Sequence, residues 1–457
     1  MNRTLIFAVL CAVWSLGGQF AGAEAPTRPN ILYIVCDDLG WSDVGWHQGF
    51  AKTPVLDRLV SQGVELDQHY VQPVCTPTRT ALMSGRYPGR FGPQALVPNN
   101  LRAMPIDTTT LASALKSLGY STYQSGKWHL GSKPEWGPNA FGFDHGYGTL
   151  TGAADPWTHR YRKGSPYVDT WHRDGKLFHE EGNATELVAA EAVRRIEEKR
   201  TPWFMYVPFH AVHTPVDAPE ELKKLYDGVR FHEDDAKHDS RLRMAAMVSQ
   251  VDAKVGQFLE AIQRTGQRDN TLVIFHSDNG GIESLKNGYD GKVGDSPLNS
   301  ENDPLRGQKA QLYEGGTRVC ALAYWPGKLA PRKHRGIMHC VDWFPTIAEI
   351  VGIQPASDLR WDGVSQWAAL QGRAEPDAGR VIYIASSGGQ SVRQGDWKLI
   401  VRRQSKPELY NIAADPYETT DLATAEPNRM NKLQALLMAE RAKDQKDLPA
   451  DLVGLPK

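Results

Sequence analysis

The chain is short of several things that would assign it at a glance. It has only five cysteines in 457 residues, and Cys11 sits in an apolar N-terminal segment, so a disulfide framework is not what holds a core of this size together. Cys320 and Cys340 remain a candidate pair, whereas Cys36, at the end of an apolar run, reads as packing. The 52 basic and 53 acidic side chains nearly cancel. No Lys/Arg block is long enough to line a nucleic-acid groove, so nucleic acid is not an expected partner. No apolar run reaches the roughly 20 residues needed to cross a bilayer, and no membrane span is expected. Internal repeats are missing as well.

What is present begins at the N-terminus. Met1-Asn2-Arg3, an apolar stretch from Leu5 to Leu16 and then Ala21-Gly22-Ala23 supply the three parts of a secretory signal peptide over residues 1–23. Export is the expected consequence, to the periplasm or the medium if the source is bacterial. Leu10 before Cys11 is too bulky for a lipoprotein site. The remaining length suits one large catalytic domain, residues 24–375, with a smaller companion over residues 376–457.

Short runs rich in Val, Ile and Tyr alternate with amphipathic segments, the pattern of parallel strands joined by helical crossovers. Strands are predicted over residues 31–36, 120–124, 203–207 and 271–275, and helices over 54–63, 111–118, 185–199 and 241–265. Thr53 as N-cap, Pro54 in the first turn and Gly63 at the end punctuate the first helix. Thr185 as a helix N-cap accounts for the sequon Asn183-Ala184-Thr185. From about Arg380 the pieces 381–385, 391–393, 397–402 and 408–410 predict a four-stranded antiparallel sheet, covered by a helix over 428–444. The fold class is therefore α/β, a large mostly parallel sheet sandwiched by helices, with a small C-terminal α+β subdomain. Residues 161–182 and 288–303 read as loops and as candidate walls of a substrate cleft.

Polar residues cluster just beyond the predicted strands. Asp37-Asp38 follows the first, Lys127-Trp128-His129 the second, His210 and His213 the third, and Asp278-Asn279-Gly280 the fourth. In an open parallel sheet such groups gather in one crevice at the carboxyl ends of the strands. Two adjacent aspartates joined by a third carboxylate repel one another unless a cation is present. Asp37, Asp38, Asp278 and Asn279 offer oxygen donors alone, a set for Ca²⁺ or Mg²⁺ rather than zinc; each pair by itself is also what a solvated turn or helix cap looks like. In the same crevice Lys127 would steady a negative group and His129 would shuttle a proton. Lys309 alone reads as a solvated lysine. Cys75-Thr76-Pro77-Thr78-Arg79 sets a lone thiol four residues before a guanidinium, near a helix start at Thr78. A thiol there is packing, a nucleophile or a precursor of something else. A hard metal, several cations and a helix N-terminus together suit a tetrahedral oxyanion, so sulfate or phosphate esters are the natural substrates.

These residues resemble a type I sulfatase of the alkaline-phosphatase-like superfamily. The resemblance spans residues 29–422 and is carried by Cys75-Thr76-Pro77-Thr78-Arg79, by Gly119-Tyr120-Ser121-Thr122 leading to Gly126-Lys127-Trp128-His129, by Ser277-Asp278-Asn279-Gly280 and by Leu305-Arg306-Gly307. It implies an alkaline-phosphatase-like fold. It also implies that a maturation enzyme oxidises Cys75 to Cα-formylglycine (3-oxoalanine), whose aldehyde hydrate is the nucleophile, the thiol being only its precursor. By the same resemblance Asp37, Asp38, Asp278, Asn279 and the modified Cys75 hold one Ca²⁺, with Mg²⁺ the lesser expectation. Arg79 would orient the formylglycine, and Lys127 and Lys309 would grip the sulfate oxygens. His213 or Lys309 would protonate the leaving alcohol, and His129 would take the proton whose loss expels sulfate.

Three further stretches, Asp37-Asp38-Leu39-Gly40-Trp41, Ala211-Val212-His213-Thr214-Pro215 and Tyr313-Glu314-Gly315-Gly316, are similar to the arylsulfatase B-like group, which includes enzymes removing 4-O-sulfate from N-acetylgalactosamine. A sulfated sugar is then the expected substrate. Asp155, Trp157, His159, Trp171 and His172 suit either a sugar-stacking subsite or a packed loop. Two rival readings stand beside this one. The first is a phosphonate or phosphate ester hydrolase of the same superfamily; the second is a carbohydrate-binding pseudo-enzyme in which Cys75 is never converted.

Overall fold

The computed structural model describes residues 28–457 apart from 199, 201, 290–292 and 355–358, so the expected signal peptide lies outside the described residues. All seven residues of β1 (Asn30–Cys36) are buried, which requires apolar partners on both of its faces. Leu32, Ile34 and Cys36 enter one apolar cluster with α1 (Pro54–Gln62), α4 (Ala184–Glu197) and the long helix Asp235–Arg264. Ile31, Tyr33 and Val35 enter a second with α2 (Cys75–Ser84), α3 (Leu111–Ser117) and the helix Trp343–Val351. Burial on both faces is what a near-continuous apolar strand specifies.

Ten strands form the large sheet: β1, β2 (Val64–Tyr70), β3 (Ser121–Lys127), β4 (His145–Thr149), β5 (Trp171–Arg173), β6 (Lys176–Leu177), β7 (Trp203–Pro208), β8 (Thr271–Ser277), β9 (Ala321–Tyr324) and β10 (Arg332–His339). Their order is β10-β2-β9-β8-β1-β7-β3-β4-β5-β6. Five of the nine seams are parallel, and they include the four consecutive seams from β8 to β4 at the centre. Register aligns the carboxyl ends: Cys36 pairs with Ser277, Val35 with Pro208, and Lys127 with Thr149. Lys127 is thus the last residue of its strand, which runs further than the sequence predicts because parallel pairing with β4 extends it.

Two other differences have local causes. The cap of α4 is Asn183, not Thr185: its side chain accepts from the Thr185 and Glu186 amides and from Gln250. The Asn183 side chain is thus committed to the helix cap and is 4% exposed, a position unsuited to carrying a glycan. Within residues 161–182, β5 and β6 replace part of the expected loop, adding antiparallel strands to the edge at β4. All four described cysteines are free and buried, so the candidate pair Cys320–Cys340 forms no disulfide. No helix among the described residues is long and apolar enough to cross a membrane.

The second sheet contains β11 (Val381–Ser386), β12 (Gly389–Gln394), β13 (Trp397–Arg402) and β14 (Glu408–Asn411), all antiparallel and in chain order. One face takes Leu433 and Leu437 of the helix Pro427–Arg441; the other sets Ile382, Ile384 and Ile400 against Tyr70, Leu312 and Ile337. Between the sheets, fully buried Lys398 bridges Glu314 at 2.8 Å and Glu418 at 2.9 Å. One cation cannot fully compensate two buried anions. Although burial opposes its charge, Glu314 is held down to about 2 by Lys398, Arg393 and Arg318. Glu418 is pushed up to about 7 by burial, with Glu314 adding to it.

A folded-state value above the unfolded one means that folding retains a proton on Glu418. That contribution is complete below the unfolded carboxylate range near 4.3 and is lost as pH rises through 7. Relative to Glu418→Gln, the wild type should therefore lose on the order of 2 kcal/mol of stability between pH 5 and 8. Urea midpoints of both proteins at the two pH values check this, and parallel pH dependences would contradict it.

Candidate active site

Helix α2 carries the thiol. Its ten residues are all buried although most are polar or small, which is tolerable because their hydroxyls find partners inside. Thr80 donates to the Thr76 carbonyl at 2.8 Å and Ser84 to that of Thr80 at 2.7 Å. Thr78 both accepts from the Gln72 amide and donates to its carbonyl, each at 3.0 Å. The helix begins at Cys75 itself rather than at Thr78, so the thiol lies in the first turn, where unpaired amides favour anions. Burial pushes the Cys75 thiol above its ordinary range, with Lys127 and Lys309 opposing.

The carboxyl ends of β1, β3, β7 and β8 deliver the remaining residues to this point. One ligand atom each from Asp37, Cys75 and Asp278 lie within 4.8 Å of one another, as do those of Asp37, Asp38 and His213. Arg79 donates to Asp278 Oδ2 from Nε at 3.1 Å and from Nη2 at 2.9 Å, and from Nη1 to the Lys127 carbonyl at 2.8 Å. Lys127 Nζ reaches Asp37 Oδ2 at 2.5 Å. Lys309 Nζ contacts both Asp38 oxygens, at 2.6 and 2.7 Å. Asn279 donates to Asp38 Oδ1 at 2.7 Å, and His213 Nε2 stands 3.6 Å from Asp38 Oδ2. Asp37, Asp38, Cys75, Arg79, Lys127, His213, Asp278, Asn279 and Lys309 thus meet in this crevice; His129 stands near enough to Lys127 and Arg79 to feel their charge, and His210 pairs with the Thr149 hydroxyl. Lys309, which alone reads as solvated, is pinned in the crevice by Asp38.

Charge is dense and buried. Asp278 is pushed up to about 6 by burial and by Asp37, despite Arg79. Asp38 is drawn below the carboxylate range by Lys309 and His213 in spite of its burial, and it in turn holds Lys309 above the usual lysine range. Burial and the positive neighbours depress the histidines: His213 falls to about 3, and His129, facing Lys127 and Arg79, lies well below its ordinary value. His213 Nδ1 pairs with the Thr214 carbonyl at 2.7 Å, which leaves Nε2 toward the crevice.

Among the buried atoms with no hydrogen-bond partner are Asp37 Oδ1 and Asn279 Oδ1. Two orphaned hard oxygens beside a carboxylate driven upward by a like charge fit a divalent cation, which would satisfy the lone pairs and lower that carboxylate again. The chemistry of the donor set, hard oxygens from Asp37, Asp38, Asp278 and Asn279, fits such an ion.

Gly152 is a functional position that sequence reasoning missed. A Cβ there would lie 2.2 Å from His129 Nε2, so the glycine makes room for the ring; a glycine in a loop carries no signal of such contact. Gly152→Ala should displace His129 and cost about 10- to 100-fold in turnover with secondary structure unchanged. Steady-state kinetics beside circular dichroism checks this, and wild-type turnover would refute it.

The aromatic stretch resolves toward packing: Trp171 is 2% exposed and stacks on His159 at 4.2 Å, and Asp155 and His172 are buried. Trp157, by contrast, is 40% exposed. The two segments read as cleft loops do meet. Arg162 sits 5.0 Å over the Tyr289 ring, and burial pushes the Tyr289 phenol above its ordinary range against Arg162 and, more weakly, Lys127.

A family model described as Sulfatase matches residues 29–353. Over 477 aligned residues the chain is 30% identical to arylsulfatase J of Mus musculus, spanning 90% of this chain and 76% of that protein. It is 27% identical to an N-acetylgalactosamine-6-O-sulfatase of Bacteroides thetaiotaomicron, spanning 90% and 92%. A solved structure of Ps i-CgsB in complex with k-i-k-neocarrahexaose superposes with a TM-score of 0.82 at 29% identity, covering 92% of this chain and 94% of that one.

Proposed function

The chain belongs to the sulfatase family of sulfuric ester hydrolases, and from that premise we propose that it removes O-sulfate from a sulfated carbohydrate, a glycosaminoglycan or algal polysaccharide fragment. A galacto-configured ring sulfated at O4 is the more specific form of the proposal; the relatives named above include a galactosamine 6-O-sulfatase, so the position of the sulfate is to be decided by assay. The observation that carries the reading is the meeting of Cys75 with Asp37 and Asp278 within 4.8 Å, at a helix N-terminus flanked by Lys127 and Lys309.

In this reading a maturation enzyme converts Cys75 to formylglycine, whose hydrated aldehyde would be the nucleophile, and Asp37, Asp38, Asp278, Asn279 and residue 75 would hold one Ca²⁺, which would supply Lewis-acid stabilisation of the sulfate charge. The remaining work falls to the chain itself. Lys127 and Lys309, each now on a carboxylate, turn to the sulfate oxygens when an anion enters. Arg79, clamped by Asp278 and the Lys127 carbonyl, keeps residue 75 in place. His213 or Lys309 delivers the proton to the leaving alcohol. Burial first, and then Lys309, hold His213 near 3; an incoming sulfate offsets the Lys309 contribution and so raises the readiness of His213 to carry that proton. His129 Nδ1 has no hydrogen-bond partner and takes the proton whose removal releases sulfate. The signal-peptide pattern read in residues 1–23 of the sequence supports export.

Paired assays test the proposal. Sulfated mono- and oligosaccharides should turn over faster than the matching phosphate esters. The peptide containing Cys75, isolated from the native host, should be about 18 Da light, because –SH and one H give way to =O. Faster phosphate turnover would favour the phosphatase reading, and an unmodified thiol would favour a binding protein.

A further inference from the structure

Some donors outside the crevice have nothing to bind. At the far end of α2, ten residues and so roughly 14 Å from Cys75 at 1.5 Å per residue, the helix stops at Gly85, whose φ is +67°. A Cβ at Gly85 would come within 2.7 Å of Trp361, so the glycine lets the indole lie across the helix end. Beside it opens a cavity of about 590 Å³ lined by Arg86, Arg90, Phe91, Arg360 and Trp361.

Arg90 is fully engaged there, with Asp362 at 3.1 Å and Glu440 and Asp444 each at 2.5 Å. Arg86 is not. Its guanidinium lies 5.2 Å over the Phe91 ring, and its buried Nε has no hydrogen-bond partner among the described residues. The buried Trp361 Nε1 is likewise without one, and Arg360 is exposed. Burial, with Arg90 and Arg360 nearby, pushes the Arg86 guanidinium below its ordinary range despite Asp362.

Arg86 makes no salt bridge among the described residues, and its guanidinium and that of Arg360 both line the cavity. Two guanidiniums without a fixed carboxylate partner suit a sulfate group. Asp107 and Asp447 line the same walls and would repel a bare anion, but they accept hydrogen bonds from hydroxyl groups. The aromatic faces of Phe91 and Trp361 suit a sugar ring, and the volume exceeds that of an inorganic ion.

We infer that this cavity is a second, non-catalytic site for a sulfated saccharide, with Arg86 and Arg360 holding the sulfate, Phe91 and Trp361 offering ring faces to the sugar, and Asp107 and Asp447 taking the hydroxyls. None of these residues enters the catalytic crevice, so the site stands whether or not the hydrolytic reading above does.

Native gel electrophoresis of the full chain through dextran sulfate, chondroitin sulfate or ι-carrageenan, with plain dextran as control, tests it. At least one sulfated polymer should retard the wild type and dextran should not. The double variant Arg86→Gln/Arg360→Gln should weaken the apparent affinity about tenfold, and Trp361→Phe, which removes only the N–H and one ring, about threefold. Turnover of 4-nitrophenyl sulfate should be unchanged in both, which also shows that they fold. No retardation of the wild type, or equal retardation of the double variant, would overturn the inference. So would retardation lost in Lys127→Ala yet kept in the double variant, since the polymer would then sit in the catalytic crevice. Absent aryl sulfate turnover with retardation intact would instead count against the proposed function alone.

Discussion

Cys75→Ala will abolish sulfate-ester turnover, lowering kcat/KM by at least about 10⁴-fold, while the protein stays folded. The thiol is 1% exposed and burial raises its pKa above the ordinary range, the reverse of what activates a cysteine nucleophile. A buried, protonated thiol is a poor nucleophile but a reasonable precursor for one. Removing a single sulfur from a first helical turn otherwise held by Thr76, Thr78 and Thr80 should cost about 1 kcal/mol. Stopped assays on a sulfated sugar, with a urea denaturation curve in parallel, separate the two effects. Activity above a hundredth of wild type would place the nucleophile elsewhere, and loss of the folding transition would make residue 75 structural.

Asp278→Ala should cost activity and stability together. Arg79 is fully buried, and Asp278 Oδ2 takes two of its bonds; the next carboxylate, Asp37, is 3.9 Å away and is already engaged by Lys127. Breaking one side of a buried ion pair leaves an uncompensated charge, a loss of about 3–5 kcal/mol. The amide Asp278→Asn keeps a hydrogen-bond acceptor for Arg79 but not the compensating charge, and should recover only the hydrogen-bond part of the stability, about 1–2 kcal/mol. It should recover little activity, because one negative charge of the expected cation site is gone. Turnover should fall by about 10³-fold or more in both variants. Denaturant midpoints and kinetics of the two distinguish the roles: an alanine variant as stable as wild type would remove Asp278 from the structural account, and an active asparagine variant would remove it from the chemical one.

Much of this site was legible along the chain. Parallel strands bring their carboxyl ends to one edge, so Asp37, Asp38, His213, Asp278 and Asn279 could be grouped from apolar runs and the polar residues that follow them. Lys309 could not, because no strand end delivers it. It arrives in a loop and is fixed by Asp38, a contact between residues 271 positions apart. Gly152 was invisible for a related reason: its role is the absence of a Cβ beside His129. The cap of α4 was misplaced by two residues since Asn and Thr both cap helices, and the choice fell to Gln250 on a neighbouring helix.

What the sequence determined by itself was the α/β class, the small antiparallel sheet and most of the catalytic set, because periodicity and strand-end position act over a few residues. The tertiary structure alone decided which polar groups pair with one another and which are left without partners. That is a matter of distance between remote segments: Lys398 sharing itself between Glu314 and Glu418, Arg79 clamped on Asp278, and Arg86 lining a cavity with no salt-bridge partner among the described residues.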